Sequence, residues 1–376
     1  MRRLYLDRDE WHTSDTLSRL SSNSPGGLLF PNLEWLHWDV YESDTALAYF
    51  RLFLSPHLQR VTLYADLDLF DYIPRSQLAA IIRVISFLPT SLEYLSVMYD
   101  SYWEENPLKD AVSSFICRCG PSLRGFGTFI PLSEAAIHRL TQLPNLSHWT
   151  TAQEPPQAVP TSIFPSLEHL HLNSNDALTW LHLPVTLRNS PAPATSLTNV
   201  GGALKTLDCC WSATLGSNFL STIAEFQNLV TLRVRTYDCS NGGGYCTFHL
   251  TDDDMEHLAA ALPRLKHLRL RQPCQANTCN TTVASLVSLS ANCLDLTLLE
   301  THFNTLTITD DMRRLLDRGA GCDQTKCKLR SILVGNMPLE VRKEDIETIA
   351  MGFKVIFPCL TDIRGSGGHW QQLIFT

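Results

Sequence analysis

Large apolar residues recur along the chain with a short spacing that is repeated many times. Copies at residues 33–38, 167–172 and 265–270 each carry one at the first, fourth and sixth positions. Side chains alternate across a β-strand, so the fourth and sixth positions of each copy face the same way. Because Glu, His, Arg and Lys stand between the apolar positions, the pattern predicts short strands that are buried on one face and wet on the other.

The copies continue through the whole chain at irregular intervals of roughly 21 to 37 residues. The first copy, at Leu4 to Leu6, lacks its opening residue. The remaining copies begin at Leu33, Leu58, Leu92, Leu123, Leu146, Leu167, Leu204, Leu229, Leu265, Leu296, Leu329 and Leu360. Strands of this kind bury their apolar face only against neighbouring units, so the units must stack.

Helical patterns with their own capping residues separate the strands. Thr251 precedes three Asp residues and an apolar helical pattern, and Ser133, Ser217 and Thr309 precede similar patterns. Ser or Thr at the cap satisfies free backbone amides, and Asp in the first turn suits the helix dipole. We therefore expect helices to begin just after these four residues.

A strand followed by a helix, in units near 30 residues, is typical of a leucine-rich repeat. The sequence predicts an α/β leucine-rich-repeat solenoid, or horseshoe, of about 13 irregular strand–helix units with a parallel sheet on the concave face. A doubly wound α/β domain would need continuous apolar strands buried on both faces. We expect a single domain over 1–376, with loop insertions near 153–162, 189–202 and 239–247 where Pro or Gly residues cluster.

Composition narrows the class of protein further. Leucine makes up 59 of the 376 residues, which is the repeat signature itself, and the formal net charge is −8. The acidic balance argues against a general nucleic-acid binder. No run of 18 apolar residues exists to cross a membrane. The charged start, Met1 to His12, does not fit a signal peptide, so a cytoplasmic or nuclear location is expected.

Twelve cysteines bear on the possibility of a metal site. Cys209, Cys293 and Cys359 stand beside apolar repeat positions and are expected to act as small buried hydrophobes. Three pairs could be zinc ligands, but their spacings are wider than a two-residue knuckle, so unpaired thiols in loops are the alternative. These pairs are Cys239 with Cys246, Cys274 with Cys279, and Cys322 with Cys327.

Other chemistry is weakly indicated. His148, His169 and His171 occupy adjacent predicted strands and could bind a metal, but solvent-facing strand positions also tolerate His. The acidic run 252–254 suggests a cation site or, because Thr251 precedes it, a helix N-terminus. No acid pair, Ser-His-Asp order or nucleophile elbow is visible. The sequence predicts no enzyme, no cofactor and no metal.

The third, fifth and seventh positions of each copy should face out of the sheet and form the binding surface. In the first half these positions offer Trp35, His37, Tyr64 and Tyr94, residue types that suit protein-recognition hot spots. Later copies offer Arg233, Arg235, His267, Arg269 and Arg271. Arginine clusters bind carboxylate or phosphate, so we predict a protein partner with an acidic or phosphorylated segment. The alternative is a solvated face balanced by Asp and Glu from helices and loops.

The leads into the strands share a further pattern. Phe-Pro or Ser-Pro precedes the first Leu at Phe30–Leu33, Ser55–Leu58, Phe164–Leu167 and Phe357–Leu360. This pattern resembles the leucine-rich-repeat part of fungal F-box proteins, particularly those of mushroom-forming fungi, over essentially the whole chain. The resemblance implies a cytoplasmic or nuclear subunit of a cullin-type ubiquitin ligase whose repeats choose the protein to be modified.

One departure from that family bears on the ligase role. No Leu-Pro-x-Glu/Asp-Ile/Leu opening of an F-box precedes Leu4. Binding to the ligase's adaptor subunit is therefore expected only if an upstream F-box is restored. The alternative function is a scaffold or GTPase regulator that keeps the repeat fold and acts independently of ubiquitin.

Overall fold

The computed structural model divides into two compact units, Met1–His169 and Leu170–Thr376. It describes residues 2–6, 18–19, 22, 27–39, 50–65, 82–99, 107–152, 164–173, 203–211, 217–236, 250–271, 281–301, 305–317, 326–334 and 343–365. The predicted loop insertions near 153–162, 189–202 and 239–247 lie outside the described residues. The prediction of a single domain stays a prediction.

Short parallel strands form the sheet of the first unit. They are β1 (Arg3–Leu6), β2 (Trp35–Asp39), β3 (Arg60–Ala65), β4 (Tyr94–Tyr99), β5 (Gly125–Thr128) and β6 (His148–Thr151). Each pairs in parallel with the next in chain order. Equivalent positions of successive copies are in register, so one residue of each copy forms a row across the sheet.

The strands of the second unit follow the same rule. They are β7 (His169–Asn173), which begins at the last residue of the first unit, β8 (Thr206–Trp211), β9 (Thr231–Thr236), β10 (His267–Arg271), β11 (Leu298–Thr301), β12 (Ser331–Val334) and β13 (Asp362–Gly365). From β8 to β13 each strand pairs in parallel with the next. The predicted class, an α/β leucine-rich-repeat solenoid with thirteen strands, is confirmed.

Helices connect many of the strands. In the described residues they include a 3-10 helix at Phe50–Phe53, a short helix at 82–87, α1 (Pro107–Arg118), α2 (Glu134–Thr141), α3 (Ser217–Ala224), α4 (Asp252–Ala261), α5 (Val283–Asn292), α6 (Thr305–Asp317) and α7 (Lys343–Ile356). None of the helices in this part of the chain combines the length and apolar character that a bilayer-spanning segment needs.

The core lies where the apolar repeat positions of the strands meet the helices. The side chains at the first, fourth and sixth positions are at most 3% exposed in the copy at 33–38 and at most 2% exposed in the copy at 265–270. Leu170 departs from this pattern because it is only partly buried. Elsewhere the leucine spacing buries the side chains that the sequence pattern assigns to the core.

A shared carbonyl fixes the register between neighbouring units. The Val230 carbonyl oxygen accepts hydrogen bonds from the backbone N–H groups of Lys266 (2.8 Å) and His267 (3.1 Å). The carbonyl of Glu34 does the same in the first unit, for the residues that open β3. A carbonyl oxygen has two lone pairs and can accept both bonds. This pair of bonds fixes the residue at which each strand begins relative to the neighbouring strand.

The capping predictions meet mixed outcomes. Thr251 caps α4 in a reciprocal capping box with Asp254, and Ser133 caps α2 by accepting a hydrogen bond from the N–H of Ala136. The acidic run 252–254 therefore forms a helix N-terminus, which was one of the two interpretations that the sequence offered for it. The start predicted after Thr309 is wrong, since α6 begins four residues earlier, at Thr305. Ile308, an apolar residue of the additional N-terminal turn, is buried. Packing of this turn against the core therefore starts the helix before the capping residue that the sequence indicated.

Asp252 links two successive helices. Its carboxylate accepts hydrogen bonds from the backbone N–H (2.7 Å) and hydroxyl (2.6 Å) of Thr282, the residue that caps α5, and from the hydroxyl of Ser285. A carboxylate at this point also suits the positive end of the α5 dipole. The first turn of α4 thereby completes the start of the next helix.

Buried cysteines occupy the ends of several repeats. The Cys293 thiol lies 3.6 Å from the carbonyl oxygen of Leu262 in the preceding repeat, and the Cys327 thiol lies 3.4 Å from the carbonyl of Cys293. Cys119 is buried in the first unit, where its thiol donates to the Ile116 carbonyl at 3.0 Å. Cys209 and Cys293 are buried as predicted, whereas Cys359 is exposed.

Cys327 is an unpaired thiol in the irregular segment that precedes β12, as the alternative to a zinc ligand predicted, and its side chain is fully buried. Its predicted partner, Cys322, and the pairs Cys239 with Cys246 and Cys274 with Cys279 lie outside the described residues. Thiols donating weakly to carbonyls at repeat ends behave as small hydrophobes.

Candidate functional site

The face of each sheet that carries the third, fifth and seventh repeat positions, here called the open face, lies opposite the buried leucines. On the first unit its third positions align directly across four strands: Arg3 with Trp35, Trp35 with Arg60, and Arg60 with Tyr94. Adjacent strands lie about 4.8 Å apart, so side chains that are neighbours in this row contact one another.

Cations and aromatic rings alternate along the row. The guanidinium carbon of Arg3, on β1, lies 4.8 Å from the centre of the Trp35 ring. The guanidinium carbon of Arg60, on β3, lies 5.4 Å from the centre of the same ring. Arg60 also lies 4.1 Å from the centre of the Tyr94 ring. Cation–π contacts at these distances each contribute about 0.5–1 kcal/mol at exposed sites.

Tyr94 extends the row over a strand that has no side chain at the equivalent position. The aligned residue in β5 is Gly125, and a Cβ atom there would lie 2.2 Å from Cδ1 of Tyr94. The ring therefore lies across the bare backbone and reaches His148 on β6, at 6.0 Å between ring centres. His148 stacks on His169 at 4.1 Å. We call Arg3, Trp35, Arg60, Tyr94, His148 and His169 the aromatic ladder.

The other predicted residues of this half lie beside the ladder. Tyr5 bridges Trp35, at 5.8 Å between ring centres, and His37, at 5.6 Å. Tyr64 is 40% exposed on the open face. The sequence prediction placed Trp35 and Tyr94 in the binding surface, considered His148 and His169 only as metal ligands or solvent-facing residues, and missed Arg3 and Arg60. Their third positions in the repeat were the available signal.

Gly125→Ala should displace the Tyr94 ring and break its contact with His148. The close approach to Tyr94 costs more than the propensity that alanine gains over glycine in a strand, so we expect a net loss of about 1 kcal/mol in the free energy of unfolding. Urea unfolding measures this loss. Gly120→Ala is the matched control, because the nearest heavy atom to its added Cβ lies at 3.5 Å. Equal stability of the two variants would contradict the packing described for Tyr94.

On the second unit, the fifth positions align four charged residues across four strands. Asp208 pairs with Arg233, Arg233 with Arg269, and Arg269 with Glu300. We call these four residues the charged row. The seventh positions of two of these copies place a second pair of arginines in register, Arg235 and Arg271. The side chain of Arg271 lies outside the described residues.

The two carboxylates neutralise only part of this positive charge. Asp208 accepts two hydrogen bonds from Arg235, both at 3.2 Å, and lies 3.9 Å from Arg233. Glu300 lies 3.8 Å from Nε of Arg269. The carboxylates are more buried than the cations, since the side chain of Asp208 is 11% exposed and that of Arg233 is 42% exposed. The carboxylates therefore lie closer to the backbone of the sheet, and the arginine side chains extend further towards solvent.

The two central arginines retain unused donors. In the described part of the chain, the Nε atoms of Arg233 and Arg269 are buried and have no hydrogen-bond partner. A guanidinium group that binds an anion side-on uses Nε together with one terminal nitrogen. Leaving two such donors unsatisfied is unfavourable, so an acceptor that reached them after a rotation of the guanidinium groups would be stabilised there.

Two histidines of this face have lowered pKa values, with burial as the largest cause in each. Burial, followed by the charges of Arg233 and Arg269, lowers the pKa of His267. Burial also lowers the pKa of His171, against the opposing effect of Asp208, whose carboxylate lies 3.6 Å from its ring. Both imidazoles are therefore neutral at neutral pH, and the permanent charge of the face belongs to its arginines and carboxylates.

The predicted source of balancing charge requires a correction. The sequence alternative placed the compensating Asp and Glu on helices and loops, but Asp208 and Glu300 are strand residues of the same face. The repeat pattern could have predicted that these two acids lie beside Arg233 and Arg269, because all four residues of the charged row occupy the fifth position of their copies. Arg233, Arg235 and Arg269 of the predicted cluster lie on neighbouring strands, and Asp208 and Glu300 neutralise their charge only in part.

The described residues do not support the metal hypotheses. Within them, no group of three His, Cys, Asp or Glu side chains is arranged to hold a metal ion. His148 and His169 stack on each other, and His171 faces Asp208.

Comparisons with known proteins bear on the fold alone. No family model and no curated protein matches the chain. Among solved structures, the leucine-rich repeat-containing protein LegL7 from Legionella pneumophila is 13% identical over 89% of this chain and 92% of its own, with a TM-score of 0.43. A chain of the yeast Rad7–Elc1 complex is 14% identical over 88% of this chain and 84% of its own, with a TM-score of 0.42. Similarity of this extent assigns no function.

Proposed function

We propose that this protein is a non-enzymatic protein-recognition module, acting in the cytoplasm or nucleus, whose open face binds a segment of a partner protein. The observation that carries the proposal is the pair of arginine rows on the second unit, which the two nearby carboxylates only partly neutralise. Arginines held in register on a sheet suit an anionic segment of a partner protein. The partner segment is therefore acidic or phosphorylated.

The residue types of the first unit also favour a protein partner. Trp, Tyr and Arg dominate the energetics of protein interfaces, and the aromatic ladder places these types side by side on an open face. Its rings are already held by cation–π contacts, as at Trp35 and Tyr94. Little side-chain entropy remains to be lost on binding, which favours affinity. We include Trp35, His37, Tyr64 and Tyr94 in the proposed binding surface.

The double charge reversal Arg269→Glu, Arg271→Glu should weaken capture of the partner about tenfold, because it replaces attraction by repulsion on two register rows. The measurement is quantitative affinity purification with the wild-type chain and the variant, followed by identification and titration of the proteins that differ. Circular dichroism and urea unfolding establish that the variant is folded.

The matched control for this experiment is Arg118→Glu, Arg314→Glu. It makes the same change in net charge at exposed positions of α1 and α6. Loss of the same proteins by the control would show that net charge and not the open face is responsible. A folded Arg269→Glu, Arg271→Glu variant that keeps its partners would refute the proposal.

The resemblance to fungal F-box proteins extends the proposal to ubiquitin transfer. In this role the open face selects the protein to be modified, and the ligase's adaptor subunit binds through an F-box. Purification of the endogenous full-length protein from its source cells tests the extension. Cullin-type ligase subunits should be recovered with it in stoichiometric amounts, and their absence would leave a recognition module that acts independently of ubiquitin.

A further inference from the structure

The order of charges along the charged row is informative. It runs acid, base, base, acid across four adjacent strands, from Asp208 through Arg233 and Arg269 to Glu300. The two arginines lie on neighbouring strands about 4.8 Å apart. This separation allows one compact anion to accept hydrogen bonds from both guanidinium groups at once, as a phosphate does with its three terminal oxygens.

The donors needed for such a bond are present and unused. The Nε atoms of both Arg233 and Arg269 have no hydrogen-bond partner within the described residues. Their contacts to the flanking acids are ion pairs at 3.9 Å and 3.8 Å, beyond hydrogen-bonding distance. By contrast, Arg235 already donates twice to Asp208. Among the residues of the charged row, the buried donors without a hydrogen-bond partner belong to the two central arginines.

The flanking carboxylates restrict the shape of the ligand. A stretch of several Asp or Glu residues lying along the row would place negative charge beside Asp208 and Glu300, which disfavours it. A single group that carries up to two negative charges at one point interacts with both arginines and lies between the two acids, whereas an acidic stretch would lie alongside them. The row thus discriminates by the distribution of charge as well as by its sign.

We propose that Arg233 and Arg269 form a binding site for one phosphate group, carried by a phosphorylated side chain of the partner. The inference rests on the proposed recognition function and specifies its ligand. Arg235, held by Asp208, and Glu300 border the site. The pKa of His267 is lowered first by burial and then by the charges of the same two arginines, which is consistent with an anion site.

The direct test uses inorganic phosphate as the probe and the arginine Nε–H signals in ¹H–¹⁵N NMR as the readout. The signals of Arg233 and Arg269, identified from the Arg233→Lys and Arg269→Lys variants, should shift together and saturably. Acetate at equal ionic strength should leave them nearly unchanged. Equal shifts with acetate, or no shift with phosphate, would overturn the inference.

The lysine variants separate geometry from charge. Lysine keeps the positive charge but lacks the planar pair of donors, so each variant should bind phosphate about fivefold more weakly. Arg264→Lys, which changes an exposed arginine hydrogen-bonded to Asn228, is the matched control and should bind as the wild type does. Unchanged binding by Arg233→Lys and Arg269→Lys would show a diffuse electrostatic effect and would also overturn the inference.

A second arm separates this inference from the proposed function. Partners captured by the wild-type chain are treated with a protein phosphatase and captured again. Loss of binding after dephosphorylation supports the phosphate site. Unchanged binding after dephosphorylation, together with loss in Arg269→Glu, Arg271→Glu, would refute the phosphate site and leave protein recognition intact.

Discussion

Asp252→Ala should lower the free energy of unfolding by about 3 kcal/mol, because charge-assisted hydrogen bonds of this kind contribute about 1.5–3 kcal/mol each and do not add fully. The wild-type carboxylate completes the start of α5 by accepting from Thr282 and Ser285. Its removal leaves the Thr282 backbone N–H and two hydroxyl groups without that acceptor. Urea unfolding at pH 7, followed by far-ultraviolet circular dichroism, measures the loss.

The same variant should also change the response to acid. Burial by itself would raise the pKa of Asp252, but hydrogen bonds from Ser285 and Thr282 outweigh it and hold the pKa below its usual value. A folded-state pKa below the unfolded one stabilises the protein above the unfolded pKa of about 3.9, and this stability is lost as pH falls through the folded pKa. The stability of Asp252→Ala should therefore depend less on pH below about pH 4.

Asp253→Ala is the matched control, since Asp253 lies in the same first turn of α4 but is exposed. Only its interaction with the helix dipole is lost, so the expected change is below about 1 kcal/mol. Equal losses in the two variants would show that the link between α4 and α5 does not carry the effect.

Asp208→Asn should make the protein less stable and, at the same time, a better anion binder. The substitution removes the charge that accepts two hydrogen bonds from Arg235, and we expect a loss of about 2 kcal/mol in the free energy of unfolding. It also removes a negative charge from the edge of the proposed phosphate site. Affinity for inorganic phosphate should rise about tenfold at low ionic strength and less at high salt, because added ions screen the interaction.

Opposite signs for stability and binding make this result hard to obtain by accident. Asp295→Asn is the control, because it changes the net charge equally while its partner, Lys328, lies away from the charged row. That variant should bind phosphate as the wild type does. If Asp208→Asn bound phosphate more weakly than the wild type, Asp208 would be part of the binding site and not a competing charge at its border.

The strands of this fold could be predicted from the sequence, because every copy after the first carries apolar residues at the first and fourth positions of the repeat. The apolar pattern within the six residues of each copy determines which side chains are buried, and Leu36 and Leu268 are fully buried as expected. Helix boundaries were less predictable. The start of α6 at Thr305 depends on packing around Ile308, which outweighs the local capping preference of Thr309.

The candidate site was predictable in its rows and not in its contacts. Repeat position shows that Arg233 and Arg269 share a face, and the same reasoning applied to acidic residues would have found Asp208 and Glu300. Two features lay beyond such reasoning. The ring of Tyr94 reaches past its own neighbour because Gly125 has no side chain, and the burial of Nε in each arginine depends on atomic packing.

The buried cysteines give each unit an internal reporter of local opening. Burial, only partly offset by Arg139, raises the pKa of Cys119 to about 11, and burial raises that of Cys293 to about 12. Alkylating reagents react with the thiolate, which is scarce at neutral pH while these side chains stay covered. Labelling of Cys119 therefore follows exposure events in the first unit, and labelling of Cys293 follows those in the second. A single time course, resolved by mass spectrometry, can thus compare how often the two units open.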